Sequence, residues 1–401
     1  MRKISLEKTE SFAELVRLYP GCFTHGKGRK LVYKKWGAPG FLISFLGEDV
    51  SVMYKEDSDL FRALGLLMTE TEEKKELSIR QIPPIHFRSV MIDVSRNAVI
   101  KPEYLKKIIV RFALLGINYA CLYTEDTYEV SGHPLFGFNR GKYSKDEIRD
   151  ICAFAKIFGV TMFHCIQTLG HLEQVLKYSW YAEFKDNDRV LNVKNPKTYK
   201  FIEQMLKNAK EPYDTDIIHI GMDETHGLGR GNSFEPGKPI EPRELYLKHV
   251  SKVVGICRKL KLKPMMWGDM VLGLTGQHRQ PMTALQAKRI PKDVEIVYWN
   301  YDAEKKIAYE KHIRTYRKLG FEPMSAAGVG NWHAMWGRYE KTENTLPLFL
   351  EVSKSYGVKR AMATMWGDGG NECPFDSNWP ALVLFSEHCY TVKPDKEVKN
   401  L

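Results

Sequence analysis

The stretch SVMIDVSRNAVI, Ser89–Ile100, decides between two α/β architectures. It opens as a short apolar run, the first of eight in the chain. An open, doubly wound sheet places a glycine-rich turn after its first strand, so that a phosphate can approach a helix N-terminus. The turn here, DVSRNAVI, contains no glycine. Seven further runs follow: YACLYTE (119–125), TMFHCIQT (161–168), IIHIGMDE (217–224), KPMMWGD (263–269), VEIVYWN (294–300), EPMSAAG (322–328) and RAMATMWGD (360–368). They lack strict polar alternation, as expected of strands buried on both faces of a parallel sheet. Helix-length segments separate most of them. In SKDEIRDICAFAKIFG (144–159), Ile148, Ile151, Cys152 and Ala155 recur at helical spacing and Gly159 stops the helix. The link between the fifth and sixth runs is the weakest, with PMTALQAKRI (281–290) as its sole helical candidate. Eight strand–helix units predict a (β/α)8 TIM barrel over residues 85–401.

Residues 1–84 read differently. KLVYKKWGAPGFLISFLGEDVSVMYK (30–55) suggests short strands with turns, and SDLFRALGLLMTETEEKK (58–75) suggests a helix. The expectation is an α/β chain: a small α+β N-terminal domain, 1–84, before the barrel, 85–401, joined at QIPPI.

Composition excludes several function classes. Lys and Arg number 60 against 49 Asp and Glu, a formal +11. The lysines are spread over helical faces, and no nucleic-acid-binding signature accompanies them, so no nucleic-acid partner is expected. Seven cysteines without a CxxC suggest reduced thiols and a cytoplasmic setting. The N-terminus lacks an apolar signal core and no run is long enough to span a bilayer, so no membrane partner is expected. Metal-binding spacings such as H-E-x-x-H and a nucleophile elbow G-x-S-x-G are absent; no metal or other cofactor is predicted.

In such barrels the chemistry sits at the C-terminal ends of the strands. Those ends carry Asp93 and Arg96; Glu125 and Asp126; His164 and then His171; Asp223 and Glu224; Trp267 and Asp269; Trp299 and Tyr301; Asn331 and Trp332; Trp366, Asp368 and Glu372. A lone strand-end acid is often a helix cap or ion-pair partner, and His164, inside an apolar strand, reads as a satisfied core residue. Tryptophans ending several different strands suit walls around a ring with apolar faces and a hydroxylated rim, which is a sugar. The neighbouring acids Asp223 and Glu224 should repel, so one should resist ionising. On a continuous strand they would also point to opposite faces and could not both reach one bond.

HIGMDE (219–224) matches the H-x-G-x-D-E signature of glycoside hydrolase family 20, the β-N-acetylhexosaminidases. RSVMIDVSR (88–96) resembles that family's first barrel strand, and TLGHLE (168–173) resembles its histidine after the third. The resemblance covers the barrel to about residue 391, and the small preceding domain also occurs in the family. It implies an exo-acting enzyme that removes terminal non-reducing β-linked GlcNAc or GalNAc with retention, the substrate's own 2-acetamido group being the nucleophile. Glu224 would be the general acid and then base. Asp223 would orient the acetamido group and raise the pKa of Glu224. Arg96 would bind ring hydroxyls, His171 would support the acid, and Trp267, Trp299 and Trp366 would wall the sugar. Tyr301 is the candidate for holding the acetamido oxygen, although many members place this tyrosine after strand seven, where this chain has Trp332. Either Asp368 or Glu372 would bind distal hydroxyls, and Glu125 is a further substrate-binding candidate. The expected partner is a glycan ending in N-acetylhexosamine. Some relatives continue into a helical domain after the barrel; this chain stops at Leu401, so any site or dimer contact from that domain is expected to be absent or supplied otherwise, and a homodimer stays open. Alternatives are a related hydrolase that releases disaccharides or takes 6-sulfated sugars, using Arg140, Lys142 or Arg338, or a non-catalytic sugar-binding barrel.

Overall fold

The computed structural model describes residues 3–69, 78–275 and 280–391. All eight runs are strands: β7 (Phe87–Asp93), β8 (Tyr119–Thr124), β9 (Thr161–Ile166), β10 (Ile217–His219), β11 (Lys263–Trp267), β12 (Glu295–Trp299), β13 (Met324–Gly328) and β14 (Arg360–Met365). They pair in parallel and close into a barrel, with β14 returning to β7. Every residue of β7 is buried. Alternate side chains point inward and form a separate interior cluster: Phe87 and Met91, Cys121 and Tyr123, Phe163 and Cys165, Met265 and Trp267. The opposite set packs against the helices. This two-sided burial explains runs that are apolar throughout.

The crossovers follow their sequence signals. Ser144 and Glu147 form a reciprocal capping box at the start of helix Lys145–Ile157, whose buried residues are Ile148, Ile151, Cys152 and Ala155. Among the described residues, the link between β11 and β12 holds only single-turn helices, Asp269–Leu272 and Ala284–Ala287. Its sequence offered no longer amphipathic segment, and residues 276–279 lie outside the description.

Ahead of the barrel lies a six-stranded mixed sheet in the order β2-β1-β3-β5-β4-β6. Its strands are β1 (Ile4–Ser5), β2 (Phe23–Thr24), β3 (Arg29–Lys35), β4 (Phe41–Leu46), β5 (Asp49–Tyr54) and β6 (Ser78–Gln81). The sequence reading anticipated β3, β4 and β5. It did not anticipate β1, β2, β6 or the helix Glu10–Leu18; β1 and β2, of two residues each, have no periodicity to read. The expected helix after β5 spans Asp57–Thr69; the rest of that stretch, 70–75, lies outside the described residues.

This helix joins sheet to barrel. Gly65 lets it approach helix Pro102–Leu114 so closely that an added Cβ would stand 2.0 Å from the Leu114 carbonyl oxygen. Arg62, buried, pairs with Glu387 on the last helix. The sheet thus braces the N-terminal end of the barrel and leaves the C-terminal end to the loops.

Candidate active site

The fourth strand answers the geometric objection to adjacent acids. β10 ends at His219, four residues before Asp223. Gly221, Met222 and Glu224 then take φ values of +71°, +78° and +45°. Such values are uncommon outside glycine and cluster where a site needs them. The His219 imidazole accepts the Gly221 N–H at 3.1 Å and tethers this break. The break also needs the glycine, since a Cβ there would stand 2.0 Å from Gln167 Oε1. The H-x-G of the signature is therefore a device that stops the strand and turns both acids one way. Gly221→Ala is expected to lower stability by about 2–4 kcal/mol, from backbone strain plus overpacking, and to lower activity by displacing Gln167. Thermal unfolding checks it; an unchanged melting temperature would contradict the strained-turn account.

Beyond the break, both acids reach one ring. His171 Nε2 lies 3.3 Å from Asp223 Oδ2 and 3.6 Å from Glu224 Oε2. Gln167 donates from Nε2 to Asp223 Oδ1 at 3.1 Å. The two carboxylates differ in depth: the Asp223 side chain is 11% exposed and that of Glu224 is 35%. Burial pushes the Asp223 carboxyl up, but His171 and Gln167 outweigh it and hold it below the ordinary value. A third acid beside them resists ionising. Burial and the Asp223 charge push Asp269 up to about 7. Its Oδ2 accepts the Glu224 N–H at 3.1 Å and the Thr275 hydroxyl. Asp269 thus fixes the backbone that presents Glu224.

A second cluster gathers around Arg96. Its Nη1 donates to Asp93 Oδ2 at 2.8 Å and lies 3.5 Å from Asp368 Oδ2, and its Nη2 lies 3.4 Å from Glu125 Oε1. Asp93 also accepts from Ser95 and from the Gly367 N–H. Burial pushes Glu125 up to about 7, against the opposing pull of Arg96. Tyr123 links the clusters: its hydroxyl accepts from Gln167 at 3.0 Å and donates to Glu125 at 3.3 Å.

The third component is aromatic. Trp299 stacks on Tyr301 with centroids 5.1 Å apart, and Tyr301 lies 5.2 Å from Trp332. The Trp366 indole N–H donates to the Tyr301 hydroxyl at 3.0 Å. Trp366 in turn lies 5.7 Å from Trp267. Trp267, expected to wall the sugar, is fully buried in the barrel interior against His219. Gln167 Oε1, His171 Nε2, His219 Nε2, Trp267 Nε1 and Asp269 Oδ1 are buried without a hydrogen-bond partner among the described residues.

Of the anticipated residues, Arg96, Glu125, His171, Asp223, Glu224, Trp267, Trp299, Tyr301, Trp332, Trp366 and Asp368 converge on this end. Glu372 does not join them: it is exposed, and no ion pair or hydrogen bond of its side chain occurs among the described residues. Asp126 turns instead to Arg140, at 3.2 Å. His164 is a core residue, bonded to Thr124 and the Ala209 carbonyl. Sequence reading missed Gln167, Tyr123 and Arg189. Gln167 and Tyr123 lie inside the quoted runs, where a polar group at a strand end is the available signal. Arg189 sits in a long loop with no motif around it.

The family model "Glycosyl hydrolase family 20, catalytic domain" matches residues 85–315, more than half of the chain. The chain belongs to glycoside hydrolase family 20. Among curated relatives of this family-20 barrel, Hexosaminidase D of Bos taurus is 30% identical over 256 residues, covering 60% of this chain and 71% of that protein. Hexosaminidase D of Homo sapiens is 28% identical, covering 61% and 51%. The chain thus spans about half the length of the human relative. Among solved structures, the β-N-acetylhexosaminidase of Bacteroides fragilis NCTC 9343 superposes with a TM-score of 0.73 at 17% identity, over 98% of this chain and 87% of that one. A mutant Streptomyces plicatus β-hexosaminidase in complex with product GlcNAc gives 0.70 at 16%, over 97% and 86%. These likenesses show the shared fold of a family-20 glycoside hydrolase.

Proposed function

We propose that the protein is an exo-β-N-acetylhexosaminidase that removes terminal non-reducing β-linked GlcNAc or GalNAc by retaining, substrate-assisted catalysis. The observation that supports this most is the broken fourth strand, which turns Asp223 and Glu224 together toward His171 beside a cluster of indoles. Two acids this close cannot flank a glycosidic bond in either two-carboxylate geometry. They suit a division of labour. Glu224, the more accessible, donates a proton to the leaving oxygen and later activates water. Asp223, deeper and held ionised, accepts the acetamido N–H and stabilises the positive charge that develops as the acetamido oxygen attacks the anomeric carbon. Each of its oxygens has a second lone pair left for this.

Arg96 and Asp368 bind ring hydroxyls, with Glu125 behind them. Trp299, Trp332 and Trp366 flank the sugar above Trp267. Tyr301 accepts the Trp366 N–H, so its own proton stays available for the acetamido oxygen. Glu372 is the weaker candidate for the distal hydroxyls, being exposed and without a partner among the described residues.

The sulfated-sugar alternative loses support because its basic residues are already engaged. Arg140 pairs with Asp126, Lys142 donates to the Phe136 carbonyl, and Arg338 donates to the Gly330 and Trp332 carbonyls. A pure binding barrel has no use for paired acids. The catalytic unit in this reading is 85–401, with 1–84 as a bracing domain. A cytoplasmic location fits the seven unpaired cysteines, six of them buried; no helix among the described residues is long and apolar enough to cross a membrane.

A panel of aryl β-glycosides tests the proposal. Aryl GlcNAc and GalNAc should turn over at least about 10³-fold faster than aryl glucoside and galactoside, which lack the internal nucleophile. A thiazoline mimic of the cyclised intermediate should inhibit. Equal turnover of the non-acetamido glycosides would refute substrate assistance.

A further inference from the structure

Resting on that reading of the acids, we propose that Arg189 is a positioning residue, holding His171 as a neutral imidazole whose single proton sits on Nε2, between Asp223 and Glu224. Arg189 Nη2 lies 3.1 Å from His171 Nδ1. A guanidinium has no acceptor, so this contact requires a lone pair on Nδ1 and leaves the ring proton on Nε2. Arg189 is itself fixed. Its Nε lies 3.0 Å from Glu173 Oε1. The N–H groups of Arg189 and Val190 both donate to Asn187 Oδ1 at 3.0 Å, and the Arg189 carbonyl accepts from Leu172, next to His171. His171 has φ +52°, so the backbone on both sides of the contact is specified.

The charged groups around the ring pull in opposite directions. Asp223 and Glu224 face Nε2, and Glu125 and Arg96 act from the neighbouring cluster. Burial disfavours an imidazolium, while Asp223 and Glu125 favour one and raise His171 from its ordinary value. A second proton must enter at Nδ1. There it would break the bond to Arg189 and face a cation at 3.1 Å. The guanidinium therefore opposes the carboxylates across the ring. The consequence falls on Glu224, 3.6 Å from Nε2. An imidazolium at that distance would favour the ionised acid, whereas the first chemical step needs its proton. A neutral ring turns its one N–H toward Asp223, 3.3 Å away, and leaves Glu224 able to donate.

The test combines a tautomer measurement with a pH profile. In the parent at pH 7, ¹⁵N-histidine spectra, with the His171 signals assigned by their loss in His171→Gln, should show Nδ1 unprotonated and Nε2 protonated. In Arg189→Met both nitrogens should be protonated. The alkaline limb of kcat/KM on aryl β-GlcNAc should move down by about one pH unit or more. Arg189→Lys, which keeps a donor and a charge, should retain the parent limb. A doubly protonated His171 in the parent, or an unmoved limb in Arg189→Met, overturns the proposal. If Arg189→Met does not fold, the parent spectrum decides alone. A parent inactive on aryl β-GlcNAc would remove the hexosaminidase reading, while the spectrum still decides the tautomer.

Discussion

Glu224→Gln is expected to lower kcat/KM for an aryl β-GlcNAc substrate by roughly 10²–10⁴-fold, the usual contribution of a positioned acid–base group. The amide matches the carboxyl in shape, and the turn that positions it is made by the backbone: φ +45° at Glu224 and its N–H on Asp269. Folding should therefore be spared, and a melting temperature near that of the parent is part of the prediction. The loss should depend on the leaving group. A substrate whose aryl group departs readily as an anion needs little protonation, so its bond-cleavage step should suffer least. Asp223→Asn should be about as damaging, through a different step. Its amide can keep the Gln167 contact, but it then turns an NH₂ toward His171 Nε2, donor against donor, and it removes the charge that stabilises the developing cation. Here a good leaving group should give no relief, because the acetamido attack itself is impaired. Unchanged turnover in both variants would eliminate the proposed roles. A leaving-group dependence in Asp223→Asn as strong as in Glu224→Gln would mean that the two roles are misassigned.

Arg96→Met should combine loss of binding with loss of stability. Arg96 is the cation among Asp93, Glu125 and Asp368, whose side chains are 1%, 8% and 36% exposed. Removing one partner of a buried charge cluster typically costs about 3–5 kcal/mol, because the remaining charges stay buried. The lower end applies, since Asp93 keeps its bonds to Ser95 and Gly367 and Glu125 can take a proton. Glu125 already sits near 7 with the arginine present. Losing that cation raises it further, so at neutral pH it becomes predominantly neutral. Loss of a charged hydrogen bond to a sugar hydroxyl adds roughly a 10- to 100-fold fall in kcat/KM, expressed chiefly in KM if the contact is equal in ground and transition states. Denaturant titration and a Michaelis analysis check the two parts separately. A stable variant with parental KM would show that the cluster neither holds the loops together nor meets the substrate.

The sequence made the barrel legible because burial on both faces leaves a local imprint: apolar runs of strand length separated by helical periodicity. Strand-end positions were legible for the same reason, which is why Arg96, Glu125, His171 and the indoles could be named in advance. The short strands β1, β2 and β6 left no such imprint. The separation of Asp368 from Glu372 was not legible either. Both lie in one loop, WGDGGNEC, and only the packing of Gly367 against Asp93 brings one of them to Arg96.

By itself, then, the order of residues determined the architecture and the chemical inventory of this protein, since hydrophobic periodicity and residue type are properties of neighbours along the chain. Only the tertiary structure decided orientation: that the fourth strand stops at His219, that Asp223 and Glu224 turn to the same imidazole, that Trp267 is buried in the barrel interior, and that Arg189 reaches the far side of His171. The reason is physical. Backbone dihedrals at a strand end, and ion pairs between residues far apart in sequence, are set by what the folded chain packs against them.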